Sequence, residues 1–194
     1  MITGTEIDMR FRRSETLAPD LWEELELVRR VLRGRGLAGV SDMYVDGFGH
    51  VSKVINQKGA FIVSGAGTCV ARELDGRLYS KINSIDLEVL RVDAEGRIDP
   101  PWESILMGAL HSTRRDIRAV ICTRNEVAFE KIPHIGYKDS TLLETVSYIR
   151  GLSKEILDSG FVGLNSIPDL VLAFGTMLDS TVVRLLDKAD MKMA

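Results

Sequence analysis

The sequence has few cysteines and no long apolar run, and each shortage excludes a class of protein. Only two of the 194 residues are cysteines, Cys69 and Cys122, which excludes the disulfide framework of small secreted domains. No stretch approaches the roughly 20 consecutive apolar residues of a membrane-spanning helix. The first 15 residues are too polar to contain the apolar segment of a signal peptide. These features predict a reduced, cytoplasmic protein that does not enter a membrane.

The chain also lacks a strong excess of either charge. It carries 25 basic and 28 acidic residues, a net charge of −3, so nothing indicates a nucleic-acid partner. Four arginines between 29 and 35 follow the acidic Glu23, Glu24 and Glu26 along one predicted helix. That order suits the helix dipole, which favours a solvated helix face over a phosphate-binding patch.

Two nucleotide-binding motifs are missing. Gly47 and Gly49 do not open a strand–turn–helix unit, and no third glycine follows at the Rossmann spacing. The small-residue run at 64–68 (Ser-Gly-Ala-Gly-Thr) lacks the terminal Gly-Lys-Ser/Thr of a P-loop. Its backbone N–H groups could still cradle an anion, or the run could be a tight turn between two strands.

Hydrophobic spacing and turn residues predict the elements that are present. We expect helices over 19–33, 102–112, 140–158 and 176–188, and strands over 60–63, 85–92, 117–123, 161–164 and 170–174. Strand pairs between helices predict an α/β fold, a layered α/β/α domain with a mixed, largely antiparallel central sheet. We expect residues 1–194 to form this single domain, with a loose N-terminal lead over 1–15.

Several motifs occur in an order that resembles the class II aldolase/adducin family, and its decarboxylase-like branch in particular. They are the glycine-rich helix end at 33–37, the Asp-Gly-Phe-Gly-His-Val-Ser run at 46–52, the small-residue loop at 62–68, Glu103, and the Arg-Arg-Asp-Ile run at 114–117. The resemblance extends from about residue 21 to 186. It implies the layered fold, a small-molecule substrate, and a homo-oligomer, commonly of four chains.

The sequence departs from this family at the metal site. The resemblance implies a divalent metal such as zinc, held by three histidines, but the aligned positions carry Cys122, Arg124 and Asp169. A thiolate or carboxylate can bind zinc, whereas a permanently charged guanidinium cannot. We therefore predict no bound metal and no other cofactor. The serine pair that holds phosphate in sugar-phosphate members is replaced by Pro101 and Trp102, which disfavours a phosphorylated substrate.

The resemblance implies a catalytic role for Glu103 and favours one for His50, the chemistry of a guanidinium suggests one for Arg124, and each residue has a structural alternative. Glu103 would be the acid/base, or only a helix-start carboxylate that interacts with the dipole. His50 would bind an anionic substrate or transfer a proton, or it would be a loop histidine satisfied by a carbonyl. Arg124 would hold a developing oxyanion in place of the metal, or it would pair with Asp169 or Glu126.

Other polar residues have weaker signals. Ser52, Ser64 and Gly65 are the predicted substrate-binding residues, since they lie in the two motif loops. His111 lies on an apolar helix, so a structural role is expected. His134 could replace a metal ligand beside Cys122, although its spacing does not require that.

The main functional hypothesis is a carbon–carbon lyase of the aldolase or decarboxylase type, acting on a small carboxylated or carbonyl compound. The alternative is a non-catalytic scaffold for ligand binding or assembly, as in adducin. An isomerase or epimerase is a third possibility. A catalytic role predicts that Glu103, His50 and Arg124 converge.

Overall fold

The computed structural model describes residues 7–41 and 44–191, without the side chains of 41–46. The strands are β1 (Asp8–Arg13), β2 (Gly39–Ser41), β3 (Tyr44–Phe48), β4 (His50–Val54), β5 (Phe61–Ser64), β6 (Tyr79–Asp86), β7 (Arg91–Gly96), β8 (Ala119–Arg124), β9 (His134–Ile135), β10 (Phe161–Leu164) and β11 (Leu170–Gly175). The helices are α1 (Pro19–Gly34), α2 (Ser104–Thr113), α3 (Glu126–Glu130), α4 (Leu142–Arg150), α5 (Lys154–Ser159) and α6 (Leu178–Lys188).

One large sheet forms the centre of the molecule. Its nine strands within the described residues have the order β1-β7-β6-β5-β4-β8-β11-β10-β9. Neighbours are antiparallel except at the two margins, where β1 pairs with β7 and β9 with β10 in parallel. The predicted mixed, largely antiparallel α/β fold is confirmed.

Each face of the sheet is covered by helices, which makes three layers. On one face, α2 and α4 contribute residues such as Leu106 and Val146 to a core with Val120 and Leu172. On the other face, α1 and α6 pack residues such as Leu25 and Leu185 against the opposite side of the same strands. Strand side chains alternate between the two cores because the strand period is two. Within the described residues, no helix combines the length and apolarity needed to cross a membrane.

Three of the expected elements differ in the structure. Residues 8–13, within the lead that we expected to be loose, form β1 because each residue pairs with one of β7. The expected strand at 85–92 instead contains the end of β6, a turn over 87–90 with Leu90 at a φ of 51°, and the start of β7. The expected helix at 140–158 is divided into α4 and α5, because the Ser153 hydroxyl accepts from the Ile156 amide and starts a new helix.

Candidate active site

The central strands β4 and β8 bring two predicted site residues side by side. His50 pairs directly with Cys122 in the antiparallel register. The alternation of strand side chains places His50, Cys122 and Arg124 on the sheet face that α2 covers, because Cys122 and Val54 belong to that core. The Gly-His-Val-Ser motif and the end of β8 therefore meet at one end of the sheet.

His50 is surrounded by protein atoms. Its Nδ1 lies 3.1 Å from Ser64 Oγ, and its Nε2 lies 3.5 Å from the Sγ of Cys69. Only 3% of the residue is exposed. Burial lowers the pKa of His50 to about 4, although a hydrogen bond to the Ser64 backbone opposes the shift. The imidazole is therefore neutral at pH 7 and cannot attract an anion by charge.

Buried Ser52 and half-buried His111 form a second pair on the same face. Ser52 Oγ lies 3.0 Å from His111 Nε2, while His111 Nδ1 lies 3.0 Å from the carbonyl oxygen of Ile117. Burial lowers the pKa of His111 to about 4 as well. This geometry supports the structural role expected for His111. It also places the hydroxyl of Ser52, a predicted substrate ligand, inside a core network.

These two histidines predict how stability depends on pH. Each has a folded-state pKa of about 4 against an ordinary value of 6.5. The unfolded chain binds more protons between these values, so stability is complete above pH 6.5 and falls toward pH 4, by about 3 kcal/mol for each histidine. An NMR titration should show both rings neutral at pH 5.5. If the imidazole of His50 or of His111 instead titrates near pH 6.5, the prediction is wrong.

Three backbone amides of the small-residue loop after β5 already donate hydrogen bonds within the protein. The amides of Gly65, Ala66 and Thr68 donate to the carbonyls of Leu78, Asp99 and Gly65, respectively. A Cβ at Gly65 would lie 2.4 Å from the Cγ2 of Ile98, so this glycine permits close packing. The loop matches the tight-turn alternative, and these three amides are not a ready-made anion cradle.

Glu103 lies at the start of α2, one residue before the first helical position. It is 7% exposed, and its backbone carbonyl accepts from the amide of Met107. Its charge reaches both cysteines. Burial first, and then the charge of Glu103, raise the pKa of Cys69 to about 12 and that of Cys122 well above its usual value. The charge of the carboxylate therefore acts on two thiols, of which Cys69 contacts His50 and Cys122 pairs with it across the strands.

Arg124 is the last residue of β8 and is held by the loop before β11. Its Nη1 donates to the carbonyl of Pro168 at 2.6 Å, and Asn125 N–H donates to the carbonyl of Asp169. The charge of Arg124 acts on Cys122 with a sign opposite to that of Glu103. Asp169 has a left-handed backbone, with φ of 57°, and it lines a cavity of about 690 Å³ between the loops at 136–140 and 165–169.

The residues aligned with the family's metal ligands do not fit a metal ion. Within the part of the chain that the structure describes, no three His, Cys, Asp or Glu side chains are arranged to hold one. Arg124 would repel a divalent cation placed beside Cys122. His134 lies on β9, separated from β8 by β10 and β11, and its Nε2 is 2.6 Å from the Phe129 carbonyl. It is therefore too distant to join Cys122.

Solved structures share this arrangement of strands and helices. YgbL from Klebsiella pneumoniae, described as a candidate aldolase, epimerase or decarboxylase, superposes with a TM-score of 0.64 at 16% identity, over 88% of this chain and 87% of that one. An L-fuculose 1-phosphate aldolase gives 0.63 at 17% identity, over 90% and 85%. An aldolase II superfamily protein from Pseudomonas syringae gives 0.62 at 15%, over 90% and 76%.

The chain has the class II aldolase fold. No family model matches its sequence, and no curated protein matches it. At these sequence identities the similarity establishes the fold alone. The chemistry depends on the residues that this chain places on its class II aldolase fold.

Two features of the site had not been predicted from the sequence. Cys69 contacts His50, and Glu26 and Arg29, which we expected on a solvated helix face, form a buried ion pair on α1 behind the segment that carries Cys69. A signal for the second was present. Arg29 shares the helical spacing of Leu25 and Leu32, which places an arginine on the apolar face of the helix. An arginine at such a position requires a buried partner.

Proposed function

We propose that this chain is a carbon–carbon lyase of the aldolase or decarboxylase type, acting on a small carboxylated or carbonyl substrate without a metal ion. The observation that carries the proposal is the placement of a carboxylate and a guanidinium around Cys122. Arg124 ends β8 two residues after Cys122, and Glu103 lies at the start of α2, which packs against β8. The two charges act on the Cys122 thiol with opposite signs. A base and a cationic oxyanion holder are the two groups that this chemistry needs.

The chemistry assigns a separate step to each group. When a carbon–carbon bond breaks next to a carbonyl, its electron pair moves toward the carbonyl oxygen and generates an enolate. Arg124 holds that oxygen, and because a guanidinium has five N–H donors it can bind the ligand while it donates to Pro168. In an aldol cleavage the Glu103 carboxylate first takes the proton from the hydroxyl group whose carbon leaves as an aldehyde, and it then returns that proton to the enolate carbon. In a decarboxylation carbon dioxide leaves, protonated Glu103 gives its proton to the enolate carbon, and water reprotonates Glu103. No step requires a Lewis acid.

The remaining predicted site residues form the wall of this site in the proposal. His50 lies 3.1 Å from the Oγ of Ser64 and 3.5 Å from the Sγ of Cys69, and Gly65 follows Ser64 at the end of β5. In the proposal these residues form one wall of the site, while Arg124 supplies the charge for an anionic group. We extend the proposal to a homo-oligomer of this chain, for which size measurement in solution is the direct test.

The non-catalytic scaffold remains the second candidate because of one specific observation. Four polar groups have partners inside the protein: the imidazole of His50, the hydroxyls of Ser52 and Ser64, and the amide of Gly65. A scaffold needs no more than that, since satisfied polar groups stabilise a fold. The two candidate functions differ in what they require of Arg124 and Glu103, because only an enzyme needs these two side chains for turnover.

A screen for cleavage tests the proposal directly. Purified protein is incubated with a panel of small 2-oxo and hydroxy acids, and release of carbon dioxide or aldehyde is followed with and without a chelator. Metal content is measured on the same sample. Turnover that survives chelation in metal-free protein supports the proposal, whereas turnover that depends on about one equivalent of metal per chain contradicts its metal-free mechanism. No turnover on any compound favours the scaffold.

Replacement of Arg124 by lysine predicts a loss of turnover on any substrate found. Lysine keeps the charge but loses the bidentate fork, so we expect kcat to fall about 10²-fold, as when one oxyanion donor is removed. The matched control is Arg118→Lys, since Arg118 also donates to a backbone carbonyl but at the opposite end of β8. Equal losses in both variants would argue against a role for Arg124 in the reaction.

A further inference from the structure

The longest irregular segment near the site, residues 65–78, covers His50. It includes a single 3₁₀ turn (Thr68–Val70), and the Gly65 amide donates to the Leu78 carbonyl, which ties its two ends together. Cys69, within that turn, places its sulfur 3.5 Å from His50 Nε2. A compact loop with joined ends is an Ω-loop, a type of element that frequently serves function. We call it the cover segment.

The cover segment is attached at its centre to a buried ion pair. Arg29 is fully buried and donates to Glu26 through Nε at 2.7 Å and Nη2 at 2.9 Å. It also donates to the backbone carbonyls of Ala71 and Arg72. Glu26 in turn accepts from the Leu74 amide and the Tyr79 hydroxyl. Two side chains of α1 therefore hold four groups between residues 71 and 79.

This arrangement exceeds what helix stability requires. An i, i+3 ion pair on a solvated face contributes a few tenths of a kcal/mol, without the desolvation cost of a buried pair. Here burial alone would lower the pKa of Arg29, but the hydrogen bonds and charge of Glu26 outweigh it and the net shift is upward. Arg29 therefore stays charged, and the hydrogen bonds of the pair go to the cover segment, which has little regular structure of its own.

We propose that Glu26 and Arg29 are positioning residues that hold the cover segment closed over His50, and that this segment opens as a unit while the sheet stays folded. The imidazole Nε2 then becomes accessible when the segment opens, and it is covered by Cys69 when the segment is closed. A role for this opening in substrate access rests on the proposed function, whereas the opening motion itself does not.

The chain contains its own reporters for this opening. Cys69 lies in the cover segment and Cys122 lies in central strand β8, and both are buried free thiols. Local opening exposes Cys69 alone, while global unfolding exposes both. Alkylation by iodoacetamide, read as peptide masses for each cysteine, therefore separates the two events without any substrate.

The decisive variant is the double replacement Glu26→Leu/Arg29→Met. Exchange of a buried ion pair for apolar residues is often neutral for overall stability, but here it removes the hydrogen bonds to the cover segment. We expect Cys69 alkylation to accelerate about tenfold or more, with the Cys122 rate and the melting temperature nearly unchanged. Amides at 71–74 should lose hydrogen-exchange protection at the same time.

Two results would overturn the proposal. If the double variant is folded and the Cys69 rate equals that of wild type, the pair does not hold the segment. If Cys69 and Cys122 accelerate in parallel, the opening is global. Should the double variant fail to fold, Tyr79→Phe removes only the 3.0 Å hydrogen bond to Glu26, and a severalfold acceleration confined to Cys69 is then expected. Failure of the lyase screen would leave each of these labelling results unaffected.

Discussion

Replacement of Glu103 by glutamine should lower kcat about 10²- to 10⁴-fold on any substrate that the wild-type protein cleaves. Glutamine has the same shape as glutamate, so the protein should keep its fold. Because glutamine cannot exchange a proton at neutral pH, the proton-transfer step is lost. Glu103 is 7% exposed and lies at the start of α2, whose residues share a core with Cys122, so its carboxylate is largely shielded from bulk water. Steady-state kinetics with a thermal melt of each variant measure both consequences.

The matched control for this variant is Glu126→Gln. Glu126 is also an acidic residue at the start of a helix, α3, but it is exposed. If dipole stabilisation were the whole role of Glu103, both glutamine variants would lose a fraction of a kcal/mol of stability and neither would lose turnover. A Glu103→Gln protein that keeps wild-type kcat would remove the acid/base role from the proposal.

Replacement of Gly49 by alanine should have the largest effect on stability, at least about 4 kcal/mol. Gly49 has a φ of 92°, and an added Cβ would lie 2.3 Å from the Cα of Ala38 and 2.5 Å from the Leu37 carbonyl oxygen. Backbone atoms cannot rotate away as a side-chain end can. Chemical denaturation should therefore show a much lower midpoint, or no folded protein at all.

Two other glycines separate the causes of that loss. Gly59 has a φ of 85° with no atom within 4 Å of an added Cβ, so Gly59→Ala measures the backbone strain alone, roughly 1–2 kcal/mol. Gly34, near the end of α1, has neither a positive φ nor a close contact, and Gly34→Ala should be neutral or slightly stabilising. Equal effects at Gly49 and Gly59 would show that close packing against Ala38 contributes nothing.

The class of fold could be predicted from the sequence because it depends on local periodicity. Leu25, Val28 and Leu32 repeat at helical spacing and are buried on α1, and the strand at Phe161–Leu164 has the predicted ends. The motif order from Gly49 to Glu103 indicated the class II aldolase fold, which the superpositions show. Prediction was least accurate at turns. The segment at 85–92 has strand-like residues, but only pairing across β6 and β7 shows that it reverses direction.

The sequence by itself determined which side chains are available, among them a carboxylate at 103, a guanidinium at 124, and cysteines at 69 and 122. Only the tertiary structure decided what those groups contact. The register of β4 on β8 puts His50 opposite Cys122, and the packing of α1 on the cover segment puts Cys69 against the same ring. These neighbours are far apart along the chain, and burial, which sets the pKa of His50, exists only after the layers have packed.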